Sequence, residues 1–127
     1  YLRAHFKSKG YRVFLTPPQH DYGVDLVLTK DGDKIAVQAK RYNHEQGYKV
    51  TYKAVQEVSA GKAYYGCNKG IVITNSFFTK SARELAECNN IDMWDRHRLI
   101  EEFRIDNAPN QRAYKDGYYP GTVTGMT

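Results

Sequence analysis

Asp25 and the run Gln38-Ala39-Lys40 carry a carboxylate, an amide oxygen and an ammonium. A hairpin would set all three groups side by side. The stretch Lys30-Asp31-Gly32-Asp33-Lys34 lies between two alternating runs, and Asp-Gly is the preferred pair for a two-residue type I′ loop. With Asp31 and Gly32 as the loop, Lys30 faces Asp33 and, counting back, Asp25 faces Gln38, their side-chain roots about 5 Å apart. Lys40 points to the same face because strand side chains alternate. Moving the loop by one residue pairs Asp25 with Lys40 and keeps the shared face, whereas a three-residue loop without a bulge would break it.

Such a cluster is costly on a covered sheet. Strand alternation places Val24, Leu26, Leu28, Ile35, Val37 and Ala39 on the opposite face, with Val27 and Ala36 beside the polar groups. Polar groups buried there without partners would cost several kcal/mol. A hard divalent cation meets the need, since Mg²⁺ takes carboxylate, carbonyl, water and phosphate oxygens. Asp25, the Gln38 amide oxygen and the Ala39 backbone carbonyl could form that shell, with Lys40 beside the water or the phosphate. The same residues also admit a structural reading, an Asp25–Lys40 salt bridge at a sheet edge with Gln38 solvated.

The surrounding order is more specific than the triad alone. Gly10-Tyr11, Asp21-Tyr22-Gly23-Val24-Asp25-Leu26, Val37-Gln38-Ala39-Lys40-Arg41-Tyr42, Gly70-Ile71-Val72-Ile73-Thr74 and Phe78-Thr79-Lys80-Ser81-Ala82 follow one another. In this order they resemble the Mrr-like restriction endonucleases of the PD-(D/E)xK nuclease superfamily, from about Gly10 to Leu99. The resemblance implies that Asp25 is the metal-binding aspartate, Gln38 a variant of the usual acidic ligand, Lys40 the catalytic lysine and Asp21 a secondary acidic residue. It further implies a glutamate on the first helix, roughly a dozen residues before the Gly-Tyr pair, a position that falls upstream of Tyr1. Leu2 and Phe6 are in helical phase from the first residues, so the natural chain is expected to continue upstream with an acid about one to three positions before Tyr1, close by helical rise.

Composition agrees with an anionic partner. The 127 residues suffice for one core, the net charge is +5 and the pI is near 9.2. Lys40, Arg41, Lys49, Lys53, Lys62 and Lys69 face only Glu45 and Glu57 in the segment that follows the triad, which marks Arg41, Lys49 and Lys53 as candidate DNA contacts. Cys67 and Cys88 form no C-x-x-C pair and have no histidine at ligand spacing, which argues against zinc. Two thiols, many lysines and no signal peptide fit a reduced, cytoplasmic setting. No apolar run reaches membrane length. His5, His20, His44 and His97 are scattered, His44 being nearest the triad, and Tyr11, Tyr52 and Tyr64 are read as core or half-buried packing. The Gly61–Gly70 stretch lacks the order of a phosphate-binding P-loop.

The pattern predicts a helix to Lys9, strands at 11–16, 24–29 and 35–41, a helix over 51–65 capped by Thr51 with Tyr52, Val55 and Val58 inward, a strand from Gly70, a helix over 80–88 capped by Thr79, a strand at 91–94 and a helix over 96–103. The expected fold is α/β, a restriction-endonuclease-like core with a central mixed β-sheet of about five strands flanked by helices. Residues 1–106 make the nuclease domain and 107–127, rich in Pro, Gly, Asn, Tyr and Thr, a tail or linker. The function expected is Mg²⁺-dependent (or Mn²⁺-dependent) DNA endonuclease activity of the restriction type, without a small-molecule cofactor or a membrane partner. A non-catalytic DNA-binding module and a branched-DNA resolvase are the alternatives. Cutting both strands of a duplex calls for two active sites, and a homodimer is one way to supply them.

If the basic segment holds backbone phosphate, Lys49→Ala combined with Lys53→Ala weakens binding to unrelated DNA sequences alike and lowers the salt slope by about two. Fluorescence anisotropy against salt concentration measures both, and unchanged affinity would move the DNA face elsewhere.

Overall fold

The computed structural model describes residues 1–42 and 47–106. In chain order it contains α1 (Leu2–Ser8), β1 (Arg12–Leu15), β2 (Leu26–Lys30), β3 (Asp33–Lys40), α2 (Tyr52–Tyr64), β4 (Lys69–Thr74), α3 (Lys80–Asn89), β5 (Ile91–Trp94) and α4 (Arg96–Asp106), with a 3₁₀ turn at Pro18–His20. The five strands lie in the order β1-β2-β3-β4-β5. β1, β2 and β3 are antiparallel neighbours, while β3, β4 and β5 run parallel through the α2 and α3 crossovers. The fold is thus α/β, a mixed sheet with helices on both faces. The tail from 107 and His44 with its neighbours at 43–46 fall outside the described residues.

Local chemistry sets the element ends. Asp31 and Gly32 both take positive φ, 51° and 88°, as a type I′ loop demands. Lys30 therefore pairs with Asp33 and Leu26 with Val37, the expected register. Thr51 caps α2 by accepting the Lys53 N–H, and Thr79 caps α3 by accepting that of Ala82.

Two cores flank the sheet. Leu26, Leu28, Ile35, Val37, Ile71 and Ile73 pack with Phe6 and Trp94 on the α1 side. Val27, Ala36 and Val72 pack with Val55, Val58, Ala82 and Ala86 on the α2 side. Val24 joins this second core, contrary to the alternation that placed it with Leu26. The reason is local, because Tyr22 and Gly23 turn the chain with φ of 50° and 76° and regular pairing starts only at Leu26. Tyr52 and Tyr64 are likewise corrected: they are 43% and 61% exposed, whereas α2 turns Ala54, Val55, Val58 and Gly61 inward.

Small inward residues let α2 come close. A Cβ at Gly61 would run into Val24 Cγ2 and the Tyr22 carbonyl oxygen, and one at Gly23 would lie 2.7 Å from both Glu57 Cβ and the Glu57 carbonyl oxygen. These two glycines seat α2 directly on the turn that leads to Asp25. Gly61→Ala should therefore destabilise the fold by about 1–3 kcal/mol, the usual range for overpacking, despite the better helix propensity of alanine. Urea denaturation measures it, and an unchanged or higher midpoint would contradict the close seating.

At the far end of the hairpin, Asp33 accepts bonds from Lys69 Nζ at 2.9 Å and Asn68 Nδ2 at 3.1 Å. Those bonds, Lys69's first, hold its carboxyl below the ordinary aspartate value of 3.8. A lowered folded-state pKa means that the stabilisation is fully present above the ordinary value and is lost as pH falls through the folded one. An NMR titration should place Asp33 below that ordinary value, and Lys69→Ala should move it back up.

Candidate active site

Asp25 stands at the open end of the β2–β3 ladder. Its N–H donates to the Val37 carbonyl at 2.7 Å, and its Oδ2 accepts the Ala39 N–H at 2.7 Å. One carboxylate oxygen is thereby pinned to the backbone between Gln38 and Lys40. Upstream, Asp21 Oδ1 accepts the Gly23 N–H at 3.0 Å and the Asp21 carbonyl accepts that of Val24 at 2.9 Å, closing the turn.

Gln38 is 5% exposed. Its Nε2 donates to Glu57 Oε1 at 2.8 Å, and among the described residues its buried Oε1 has no hydrogen-bond partner. The amide cannot be reversed while Glu57 is ionised, because a carboxylate only accepts. Lys40 Nζ lies 3.1 Å from the same Glu57 Oε1, with the two side chains 33% and 50% exposed. Burial raises the Glu57 pKa, yet the bonds from Gln38 and Lys40 outweigh it and leave the carboxyl below its ordinary value. The ion pair formed by Lys40 is thus with Glu57, and Gln38 is not solvated.

These groups line one cavity of about 510 Å³, walled by Asp21, Tyr22, Gly23, Asp25, Gln38, Ala39, Lys40, Glu57 and Ala60. Beyond Lys40 the chain is clamped by Asn75, whose Oδ1 accepts the Tyr42 N–H and whose Nδ2 donates to the Tyr42 carbonyl, each at 2.9 Å. Lys40 itself pairs with Thr74 of β4. Asp21, Asp25, Gln38, Ala39 and Lys40 therefore meet at one place. Arg41, Lys49 and Lys53 are exposed and lie outside the cavity wall.

The family model Mrr_cat, described as restriction endonuclease, matches residues 1–103. The chain belongs to that family. Among solved structures, AspBHI, a DNA modification-dependent restriction endonuclease, is similar with a TM-score of 0.63 at 18% identity, over 91% of this chain and 33% of its own. A protein of unknown function, AF1548, gives 0.63 at 17% identity over 74% and 54%. The MspJI restriction endonuclease in complex with a 27-mer oligonucleotide gives 0.52 at 17% identity over 77% and 24%. At such identities the likeness establishes the fold, and the chain spans between 24% and 54% of these proteins' lengths. No curated protein matches it.

Glu57 is the member of the site that sequence reading missed, having counted it among the acids of a basic surface. A signal was present, since Glu57 lies three residues after Ala54 and four before Gly61, both buried, and so is in phase with the inner stripe. Among the described residues, no group of three or more His, Cys, Asp or Glu forms a metal-holding cluster. The donor set is instead mixed, with carboxylate oxygens from Asp25 and an amide oxygen from Gln38. A divalent cation of the hard class fits it: a buried acceptor without a donor is costly, and oxygen donors of this kind are what Mg²⁺ and Mn²⁺ take.

Proposed function

We propose that the chain is the catalytic domain of a Mg²⁺-dependent DNA endonuclease, with Mn²⁺ able to replace Mg²⁺, that hydrolyses phosphodiester bonds in restriction of foreign DNA in the cytoplasm. The observation that carries this reading is the buried Oε1 of Gln38, without a hydrogen-bond partner among the described residues, on a residue that lines one cavity with Asp25 and Lys40. Membership of a restriction endonuclease family supports it, as does the oligonucleotide in the MspJI complex.

Asp25, Gln38 and the Ala39 carbonyl would hold the cation. When bound, it supplies Lewis-acid stabilisation of the phosphate and lowers the pKa of a coordinated water. The remaining chemistry falls to the chain itself. The Ala39 N–H fixes the Asp25 carboxylate in place. Lys40, partly withdrawn from solvent, presents an ammonium where negative charge grows on the phosphoryl oxygens, and it can orient the attacking water. A preorganised donor of that kind acts strongly because it need not reorganise during the reaction. Arg41, Lys49 and Lys53 lie outside the cavity, where they would grip the DNA backbone. A homodimer would bring two such sites to the two strands.

Asp25→Ala and Lys40→Ala should each lower Mg²⁺-dependent nicking of plasmid DNA by about 10²–10³-fold or more, the scale for losing one preorganised group, with circular dichroism unchanged. Full activity in either variant would sink the proposed roles. DNA binding by the wild-type chain with no cleavage in Mg²⁺ or Mn²⁺ would favour a non-catalytic module.

A further inference from the structure

Glu57 reaches the site from α2, a different element from the hairpin that carries Asp25, Gln38 and Lys40. One of its oxygens, Oε1, takes both the Gln38 amide at 2.8 Å and the Lys40 ammonium at 3.1 Å. A glutamine amide is nearly isosteric about its end, so without a neighbour its NH₂ and its oxygen could each face the cavity. The consequences are opposite: an oxygen attracts a cation and an NH₂ repels it. A carboxylate carries no proton to donate, so only the NH₂ can turn to Glu57, which leaves the oxygen as the end turned away from it.

We infer that Glu57 is a positioning residue that dictates which end of Gln38 serves as the cation ligand while holding Lys40 on the same wall of the cavity. This rests on the proposed nuclease reading and adds to it a residue that acts through two others. It also accounts for an amide at position 38. A carboxylate there would meet Glu57 as one like charge meets another, whereas the amide satisfies Glu57 with its NH₂ and keeps an oxygen to spare. The seating of α2 fixes the geometry, since Gly23 lets the turn before Asp25 lie against the Glu57 backbone. The cost of displacing Glu57 thus falls on the cation site before it falls on the fold.

The test uses Mn²⁺ alone, with binding to the whole chain read by electron paramagnetic resonance and no DNA present, so that it stands apart from cleavage. Glu57→Leu should weaken Mn²⁺ binding by about 10–100-fold, the usual effect of losing a partner that orients a metal ligand, with the thermal midpoint recorded alongside. Glu57→Ala carries the same expectation if the leucine variant does not fold. Glu57→Gln leaves an oxygen to accept from Gln38 Nε2 and should recover most of the affinity. In a Gln38→Ala background, Glu57→Leu should change Mn²⁺ binding by no more than about twofold, near the limit of additivity for independent changes. Wild-type affinity in Glu57→Leu and Glu57→Ala overturns the inference. So does a loss that is as large with Gln38→Ala already in place, which would make Glu57 a ligand in its own right. A wild-type chain that binds no Mn²⁺ defeats the metal reading itself, and this inference with it.

Discussion

A helix settles closely onto a turn where each offers a glycine to the other, and the rest of the site depends on one such contact. Gly61 of α2 meets the Tyr22 carbonyl and the Val24 side chain, and Gly23 meets the backbone and Cβ of Glu57. Three things are fixed together as a result. Val24 is pressed into the α2-side core, the chain leaves the turn with Asp25 at the mouth of the hairpin, and Glu57 is delivered to Gln38 and Lys40. A larger residue at either glycine would move all three.

Around that contact the polar groups form a chain of mutual obligation. Asp25 is held by the Ala39 N–H, Gln38 by Glu57, and Lys40 by Glu57 as well. Among the described residues, the Gln38 Oε1 is the buried side-chain acceptor left without a donor. A buried acceptor left over beside a cavity-lining carboxylate and ammonium is a cost that a ligand can remove. The Asn75 clamp on Tyr42 and the pairing of Lys40 with Thr74 hold the far end of β3, so the strand that carries two of the groups is fixed on both sides.

Much of this was legible in the sequence, and for a physical reason. A two-residue Asp-Gly loop permits few registers, so Asp31-Gly32 decided which residues face each other along β2 and β3. Apolar period and capping threonines then located the helices. What was not legible depended on contacts between distant segments. Val24 changes face because two residues of positive φ precede it, which no alternation rule detects. Tyr52 and Tyr64 stay outside because Ala54, Val55, Val58 and Gly61 form the inward face of α2, and Gly61 enters that face through its contact with a turn distant in sequence. Glu57 resembled an ordinary surface acid because its partners are on another element, although its phase with Ala54 and Gly61 pointed inward.

The cavity wall also has a charge balance of its own. Asp21, Asp25 and Glu57 set three carboxylates against the single ammonium of Lys40, leaving two negative charges in a chain whose net charge is +5. The outer surface attracts a polyanion and this hollow repels one. Under the proposed function, a phosphodiester can rest against the protein yet stay out of the hollow until a dication cancels the local excess. Association with DNA and its cutting then answer to different ions, the first weakened by monovalent salt and the second waiting on a divalent one.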